Sequence, residues 1–158
     1  MVYIFTDGCC LNNQGRNKRG GYGVYYPDNE ELNLSVELKD VTNNIAELSA
    51  VYYGVLNLIT NRRVKKVVIV SDSKYVINSL TVWCDKWRKN GWKKSDGKEI
   101  LNKDLIKKCY YLLKNIKNEF IHVNSHREEP MDKSSMDYYY WYGNYMADLL
   151  ANESVIEK

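Results

Sequence analysis

Acidic residues follow two strand-like segments of this chain, at positions where carboxylates can meet. Asp7 comes directly after the β-prone segment 2–6, and Asp72 follows the strand-like segment 67–71. In open α/β sheets the site lies beyond the strand ends, so the two carboxylates would share one crevice if their strands are adjacent and parallel. Carboxylates gathered in this way can hold cations. Each acid also has a simpler explanation, because Asp7 precedes a turn-forming glycine and the run Ser71-Asp72-Ser73 suits the N-cap of the next helix.

Two further acids lie on predicted helices. Glu47 belongs to the helix predicted over 45–60, but it lies on neither the main apolar face nor the polar face. It heads a second apolar stripe, and a partly buried carboxylate is costly unless it is paired or bound to metal. A capping box with Asn44 as N-cap is an alternative that is compatible with this. Asp148 flanks the apolar face of the helix predicted over 143–154, although a surface acid explains this segment equally well.

Basic residues are concentrated in the segment 86–108. The segment holds nine Lys or Arg and three acids, a net charge of +6, whereas the whole chain carries +3 and the remainder therefore −3. A basic lobe on an otherwise acidic protein can bind phosphates in one place while cations are held in another. A solvated basic helix is the simpler interpretation of the same charges.

Composition bounds the protein class. With 158 residues, 44% of them hydrophobic and 27% charged, the chain suits one soluble globular domain and not a disordered segment. The longest apolar run, 67–70, is too short to span a membrane, and the first residues lack the features of a secretory signal. Four cysteines without a CxxC pair, and two histidines, make a zinc site improbable. We therefore expect a protein that is not secreted and has reduced thiols.

Hairpin strands followed by alternating strands and helices predict an α/β protein with a mixed sheet. The predicted strands are 2–6, 22–26, 32–38, 67–70 and 120–123. The predicted helices are 45–60, 73–81, 83–90, 102–116 and 143–154, and the segment 127–142 is predicted to be irregular.

The four acids lie in motifs whose order and spacing match those of a known family. The motifs are Ile4-Phe-Thr-Asp-Gly-Cys-Cys-Leu, Thr42-Asn-Asn-Ile-Ala-Glu-Leu, Ser71-Asp-Ser-Lys-Tyr-Val and Asn144-x-x-Ala-Asp-x-x-Ala. They resemble the acidic motifs of type 1 ribonuclease H. The run Trp83-x-x-x-Trp87-Arg-Lys-Asn-Gly-Trp92-Lys resembles the family's basic protrusion, the handle, and His126 matches its mobile histidine.

This resemblance implies an RNase H-like fold, a five-stranded mixed sheet in the order 3-2-1-4-5 with helices on both faces. It implies an endoribonuclease that hydrolyses the RNA strand of RNA–DNA hybrids and leaves 5′-phosphate and 3′-hydroxyl ends. Asp7, Glu47, Asp72 and Asp148 would hold two Mg²⁺ ions, for which Mn²⁺ can substitute. One ion would activate the attacking water and the other would stabilise the leaving oxygen. His126 would transfer a proton to the leaving group or assist product release, unless it is only an exposed loop histidine.

The resemblance also implies a domain organisation. We expect a single catalytic domain over 1–158, with the handle at about 83–98 and an aromatic insertion at about 127–142. No separate N-terminal hybrid-binding domain is expected, because the catalytic fold would begin near residue 2. The expected partner is an RNA–DNA hybrid duplex, and no membrane partner is expected. We expect a monomer that is cytoplasmic or associated with nucleic acid inside the cell.

Contacts with the hybrid are implied residue by residue. The RNA strand, recognised by its 2′-hydroxyls, would meet Glu47 and the residues Cys9, Cys10, Asn13, Asn43 and Asn44. At Cys9 the family usually has serine, and a thiol is a weaker donor, so we expect the backbone to act there. The DNA strand would lie against the handle and a phosphate pocket, formed by Thr42, Trp83, Lys86, Trp87, Arg88, Lys89, Trp92 and Lys93. Helix packing at i, i+4 is the simpler explanation of the tryptophans.

The chain departs from the family between His126 and Asp148, where it is longer than expected for bacterial members. The extra piece contains Tyr138-Tyr-Tyr-Trp-Tyr142. These aromatics would stack on nucleic acid, pack the long loop onto the last helix, or form a self-association surface, and we favour the packing.

Two other protein classes share parts of this pattern. A non-catalytic hybrid-binding module would keep the basic handle and lose an acid, but all four acids are present. A resolvase or integrase on the same fold would lack the Trp-rich handle and the Thr-Asn-Asn motif. Because fold alone does not determine function, the site residues decide between these classes.

Overall fold

The computed structural model describes residues 1–11 and 18–156. In this part of the chain the strands are β1 (Val2–Leu11), β2 (Arg19–Tyr25), β3 (Leu34–Lys39), β4 (Lys66–Ser71) and β5 (Lys117–His122). They form a five-stranded sheet in the order β3-β2-β1-β4-β5. The strand pairs β1–β2 and β2–β3 are antiparallel, whereas β1–β4 and β4–β5 are parallel. The predicted mixed sheet and its order are confirmed.

The helices within the described residues are α1 (Asn43–Asn61), α2 (Lys74–Asn78), α3 (Cys84–Lys89), α4 (Lys103–Leu113) and α5 (Met136–Glu153). A π-helical segment, Ser79–Trp83, joins α2 to α3 without an intervening loop. The two helices predicted over 73–81 and 83–90 are therefore one continuous helical stretch. No helix of the described chain is long and apolar enough to cross a bilayer.

Helices cover both faces of the sheet, as predicted. Successive strand residues point to opposite faces, so Ile4 packs into the core that α1 and α4 close, and Phe5 packs into the core under α5. Gly143 permits the close approach of α5, because a Cβ there would lie 2.3 Å from the Phe5 ring. The central strand β1 is thus held between two helical layers, and this fixes the position of the residues along it.

Strand β1 is longer than predicted, so Asp7 lies inside the strand and not after it. The antiparallel partner β2 continues alongside, with Asp7 opposite Gly23, and the pairing extends to Leu11. The parallel pairing with β4 ends earlier, at Thr6 opposite Ser71. Asp7 is therefore the first β1 residue beyond the end of β4, which leaves its side chain at the same edge as Asp72.

The prediction of an irregular segment over 127–142 is wrong for its second half, because α5 begins at Met136. Its N-cap is Ser135, whose hydroxyl accepts a hydrogen bond from the Tyr138 amide at 3.0 Å. Tyr139 then contacts the rings of Tyr3 and Phe5 at centroid distances of 5.5 and 5.6 Å. Burial of such aromatic rings outweighs their modest intrinsic helix propensity.

The N-terminus of α1 also differs from the prediction. Thr42 is the N-cap, and its hydroxyl accepts a hydrogen bond from the Ile45 amide at 3.2 Å. The capping box with Asn44 as N-cap is therefore wrong, and Glu47 lies beyond the first turn. Glu47 belongs to the buried stripe that includes Val51, and this stripe faces the sheet.

Candidate active site

Three of the predicted acids converge at one edge of the sheet. Asp7, Glu47 and Asp72 each place a carboxylate oxygen within 4.8 Å of the others. They come from the middle of β1, the second turn of α1 and the residue after β4. Asp7 is 4% exposed and Glu47 9%, whereas Asp72 is half-buried. Carboxylates that are far apart in the sequence are thus brought together in a largely buried cluster.

Asp148, on α5, lines the same cavity but does not belong to the tight group of three. The cavity has a volume of about 340 Å³. Its lining consists of Asp7, Gly8, Asn43, Asn44, Glu47, Asp72, Ser73, Ser125, His126 and Asp148. All four predicted acids and the predicted histidine therefore face one space.

A backbone amide that the sequence did not reveal links two of the acids. The Gly8 N–H lies 2.9 Å from Asp7 Oδ1 and 2.9 Å from Glu47 Oε1. A Cβ at Gly8 would lie 2.7 Å from the Glu47 nitrogen. The turn predicted at Asp7-Gly8 is thus wrong, and the glycine instead lets α1 approach β1 closely enough for the carboxylates to meet.

Burial and mutual repulsion dominate the electrostatics of the cluster. Burial raises the pKa of Asp7, and the charges of Glu47 and Asp72 raise it further. The pKa values of Glu47 and Asp72 are also raised, again mainly by burial. In the described part of the chain, Glu47 Oε2 is buried without a hydrogen-bond partner. Such an arrangement is costly unless a cation offsets it, so this oxygen-rich set fits a divalent metal ion.

The run Ser71-Asp72-Ser73 does cap the next helix, but the capping residue is Ser73 and not Asp72. Ser73 is the N-cap of α2, and its hydroxyl accepts a hydrogen bond from the Val76 amide at 3.2 Å. Asp72 is therefore left to face the cavity.

His126 lies in the loop between β5 and α5, with an exposed side chain and a positive φ of 54°. It also lines a second pocket of about 240 Å³ that adjoins the carboxylates. The lining of that pocket is Asp72, Ser125, His126, Arg127, Trp141, Asn144, Tyr145 and Asp148. Arg127, Trp141 and Tyr145 were not predicted as site residues. The aromatic run was the available signal, but its assignment to an irregular segment concealed which side chains share a helix face.

The residues predicted to contact RNA lie partly at the cavity. Asn43 and Asn44 line it, just after the N-cap Thr42. The Cys9 thiol donates to the Ala151 carbonyl at 3.2 Å, and the Cys10 thiol donates to the Val41 carbonyl at 3.1 Å. Both thiols are thus engaged within the protein. Asn13 lies outside the described residues.

The predicted handle, about 83–98, begins at the last residue of the π-helical segment and includes α3 and the chain that follows. The Trp83 and Trp87 rings contact each other at 5.8 Å, and Trp83 is 37% exposed. Trp92 instead packs on Tyr110 of α4 at 5.6 Å and is half-buried, so packing dominates at this position. The exposed basic residues of the handle are Lys86, Arg88, Lys89, Lys93, Lys94 and Lys98.

Known proteins resemble this chain in both sequence and structure. A sequence model of the RNase H family matches residues 1–156. Human ribonuclease H1 is 35% identical over 154 residues, which cover 97% of this chain and 49% of that protein. The ribonuclease H of Clostridium botulinum is 37% identical over 158 residues, 99% of this chain and 96% of that one. The chain thus spans about half the length of the mammalian relatives that it matches.

Solved structures show the same fold. A foamy viral protease-reverse transcriptase in complex with an RNA/DNA hybrid aligns with a TM-score of 0.73 and 24% identity, over 97% of this chain and 20% of that one. RNase H1 from Halobacterium salinarum aligns with a TM-score of 0.61 and 19% identity, over 98% and 96% of the two chains. Because the family match runs almost from end to end and the bacterial relative is covered nearly in full, this chain belongs to the RNase H family.

Proposed function

We propose that this chain is an endoribonuclease that hydrolyses the RNA strand of RNA–DNA hybrids. The buried cluster of Asp7, Glu47 and Asp72, with Asp148 on the same cavity, carries this proposal. Two further findings support it: relatives that are named ribonuclease H, and a fold shared with a protein solved in complex with an RNA/DNA hybrid.

The four acids would hold two Mg²⁺ ions, or Mn²⁺ in their place. The unpartnered Glu47 Oε2 and the raised pKa values of three acids support a cation at this position. Bound cations would supply Lewis-acid stabilisation of the charge that develops on the scissile phosphate and on the attacking water. The Gly8 amide orients Asp7 and Glu47 in advance, so the ligands need little rearrangement.

His126 would act at the leaving group. Its side chain is exposed and lines the pocket shared with Asp72 and Asp148, so a phosphodiester in the cavity comes within its reach. An imidazole nitrogen of His126 would donate a proton to the leaving 3′ oxygen, which yields 3′-hydroxyl and 5′-phosphate ends.

Recognition of the hybrid would use two surfaces. Asn43, Asn44 and the backbone at Cys9 and Cys10 would read 2′-hydroxyls of the RNA strand. Trp83, Trp87 and the basic residues of α3 would contact the DNA strand through stacking and phosphate charge. Thr42 is engaged as the N-cap of α1 and would add its backbone amide to a phosphate pocket.

The proposal is tested by a cleavage assay on a hybrid with the RNA strand labelled. We expect cleavage of that strand in Mg²⁺, with 3′-hydroxyl ends, and none in excess chelator. Single-stranded RNA, double-stranded RNA and the same hybrid labelled on the DNA strand are the controls. Equal cleavage of single-stranded RNA would contradict the proposal, and so would an intact hybrid in Mg²⁺.

Hybrid binding by the handle should depend steeply on salt. Replacing Lys86, Arg88 and Lys89 with alanine removes three exposed cations, so the slope of log K against log salt should fall by roughly one for each phosphate that the protein no longer neutralises. Fluorescence anisotropy of a labelled hybrid in Ca²⁺ measures this slope between about 50 and 200 mM salt, a range in which phosphate-dependent affinity falls steeply.

A matched triple variant serves as the control. Arg63, Lys65 and Lys117 are equally exposed, but they lie at the ends of β4 and β5 that are opposite to the carboxylates. Their replacement with alanine should leave the slope nearly unchanged. If the two triple variants give equal slopes, the handle is not the phosphate-binding surface.

A further inference from the structure

The backbone at His126 adopts a conformation that is uncommon outside glycine. Its φ of 54° lies in the left-handed region, and the side chain is exposed. Residues other than glycine are uncommon in this region and persist there when surrounding contacts hold them. The contacts that hold this loop therefore bear on where the imidazole points.

The residue after His126 is fastened to α5. The Arg127 guanidinium forms an ion pair with the Asp137 carboxylate at 2.5 Å and donates to the Asp137 carbonyl oxygen at 3.0 Å. The Arg127 carbonyl oxygen accepts a hydrogen bond from Trp141 Nε1 at 3.0 Å. Arg127 is thus held through both its side chain and its backbone, by two residues one helical turn apart.

The Trp141 ring is itself fixed by its neighbours on α5. It stacks on Tyr145 at a centroid distance of 5.5 Å and an interplanar angle of 15°, and it contacts Tyr138 at 5.6 Å. The same helix also carries Asp148, further along its length. The histidine loop and the fourth acid are therefore held by one and the same helix.

We propose that Asp137 and Trp141 are positioning residues for the cleavage reaction, which hold Arg127 and thereby keep the His126 imidazole at the pocket it shares with Asp72 and Asp148. The proposal rests on the proposed function, and specifically on proton transfer by His126. Asp137 lines neither pocket, and Trp141 lines only the pocket that it shares with His126, where its indole N–H is bonded to the Arg127 carbonyl oxygen.

A double-mutant cycle distinguishes this role from a general contribution to folding. Asp137→Asn removes the charge, and Trp141→Phe removes the indole N–H while keeping a ring. Each should lower kcat by about 3- to 10-fold, a part of the roughly 10²–10⁴ that a positioned proton donor contributes, with KM changed less than about 2-fold. In a His126→Ala background the same substitutions should change kcat by less than about 1.5-fold.

Tyr142→Phe, an equally conservative change at the next position of α5, is the control and should leave kcat unchanged in both backgrounds. Equal losses with and without His126 would overturn the proposal, and so would an unchanged kcat in the two single variants. An unchanged kcat in His126→Ala would overturn it as well, because the loop would then have no catalytic group to position.

A readout without substrate separates this proposal from the proposed function. Backbone ¹⁵N relaxation should show the His126 amide as rigid in the parent protein, with an order parameter of about 0.85. In the Asp137→Asn/Trp141→Phe variant, the order parameter of this amide should fall below about 0.6. Rigid values in both proteins would overturn the positioning role even if the hybrid is cleaved. Loss of order in an enzyme that cleaves no hybrid would instead identify the proposed function as the part that fails.

Discussion

Asp7→Asn is expected to lower Mg²⁺-dependent cleavage of the hybrid by at least about 10³-fold, which corresponds to roughly 4 kcal/mol of lost transition-state stabilisation. Asp7 lies at the centre of the cluster, within 4.8 Å of oxygens from both Glu47 and Asp72. Asparagine keeps the shape of the side chain and an oxygen that can accept from the Gly8 amide. The loss would therefore reflect the missing negative charge and not a collapsed site.

Single-turnover cleavage of a labelled hybrid measures this effect, and circular dichroism confirms that the variant is folded. Asp28→Asn is the matched control, because Asp28 is exposed in the turn between β2 and β3 and should tolerate the same change without loss of activity. Asp7→Asn with the parent rate would show that the cluster does not carry the reaction.

The stability of the metal-free protein is expected to fall as pH rises. The folded-state pKa values of Asp7, Glu47 and Asp72 are raised above their unfolded values, first of all by burial. Between about pH 4 and the raised pKa values, the folded protein therefore binds more protons than the unfolded chain, and each pH increase costs stability. We expect a loss of roughly 2–4 kcal/mol between pH 5 and pH 8, or about 5–10 °C in Tm.

Thermal unfolding in EDTA across this pH range tests the expectation. Mg²⁺ added at pH 8 should recover most of the loss, because a bound cation replaces the protons. Asp7→Asn should show a much flatter dependence and a higher Tm than the parent protein at pH 8 without metal. The exposed groups Glu99 and Asp132 have lowered pKa values, so their contribution to stability increases with pH, and it does so at lower pH than this range. Parallel curves for the two proteins would contradict the assignment of the slope to this cluster.

The sequence predicted the sheet and the four acids because local patterns and family motifs carry that information. Strand-like segments, the apolar run before Asp72 and the two stripes of α1 are all visible in single segments. The sequence predicted that Glu47 lies on an apolar stripe, where a buried carboxylate needs a partner or a metal ion. The Gly8 amide that links Glu47 to Asp7 was not predicted, because the contact of Gly8 with α1 depends on how closely two distant elements pack.

The start of α5 was not predicted for a related reason. The run 138–142 is aromatic on every face of the helix, so it has no alternation between apolar and polar positions. In the structure its faces have different partners: Tyr139 packs on the sheet, whereas Trp141 faces the histidine loop. The packing role favoured for these aromatics is present, and Trp141 fastens the loop at Arg127 to the helix in which the run itself lies.

The cap of α1 shows the limit of sequence motifs. Thr42 and Asn44 are both good N-cap residues, and both positions suit a helix that begins near residue 45. Only the observed geometry, with the Thr42 hydroxyl bonded to the Ile45 amide, distinguishes them. The difference matters for function, because Glu47 then takes no part in capping the helix and its carboxylate faces the cavity.

Asp7, Glu47, Asp72 and Asp148 are proposed to bind divalent cations together. Anomalous diffraction from a crystal of this chain soaked in Mn²⁺ shows whether they do. We expect strong anomalous peaks in the cavity, with Glu47 Oε2 and oxygens of Asp7 and Asp72 as ligands and Asp148 beside them. A cavity without an anomalous peak at saturating Mn²⁺, with the carboxylates bonded only to one another, would contradict it.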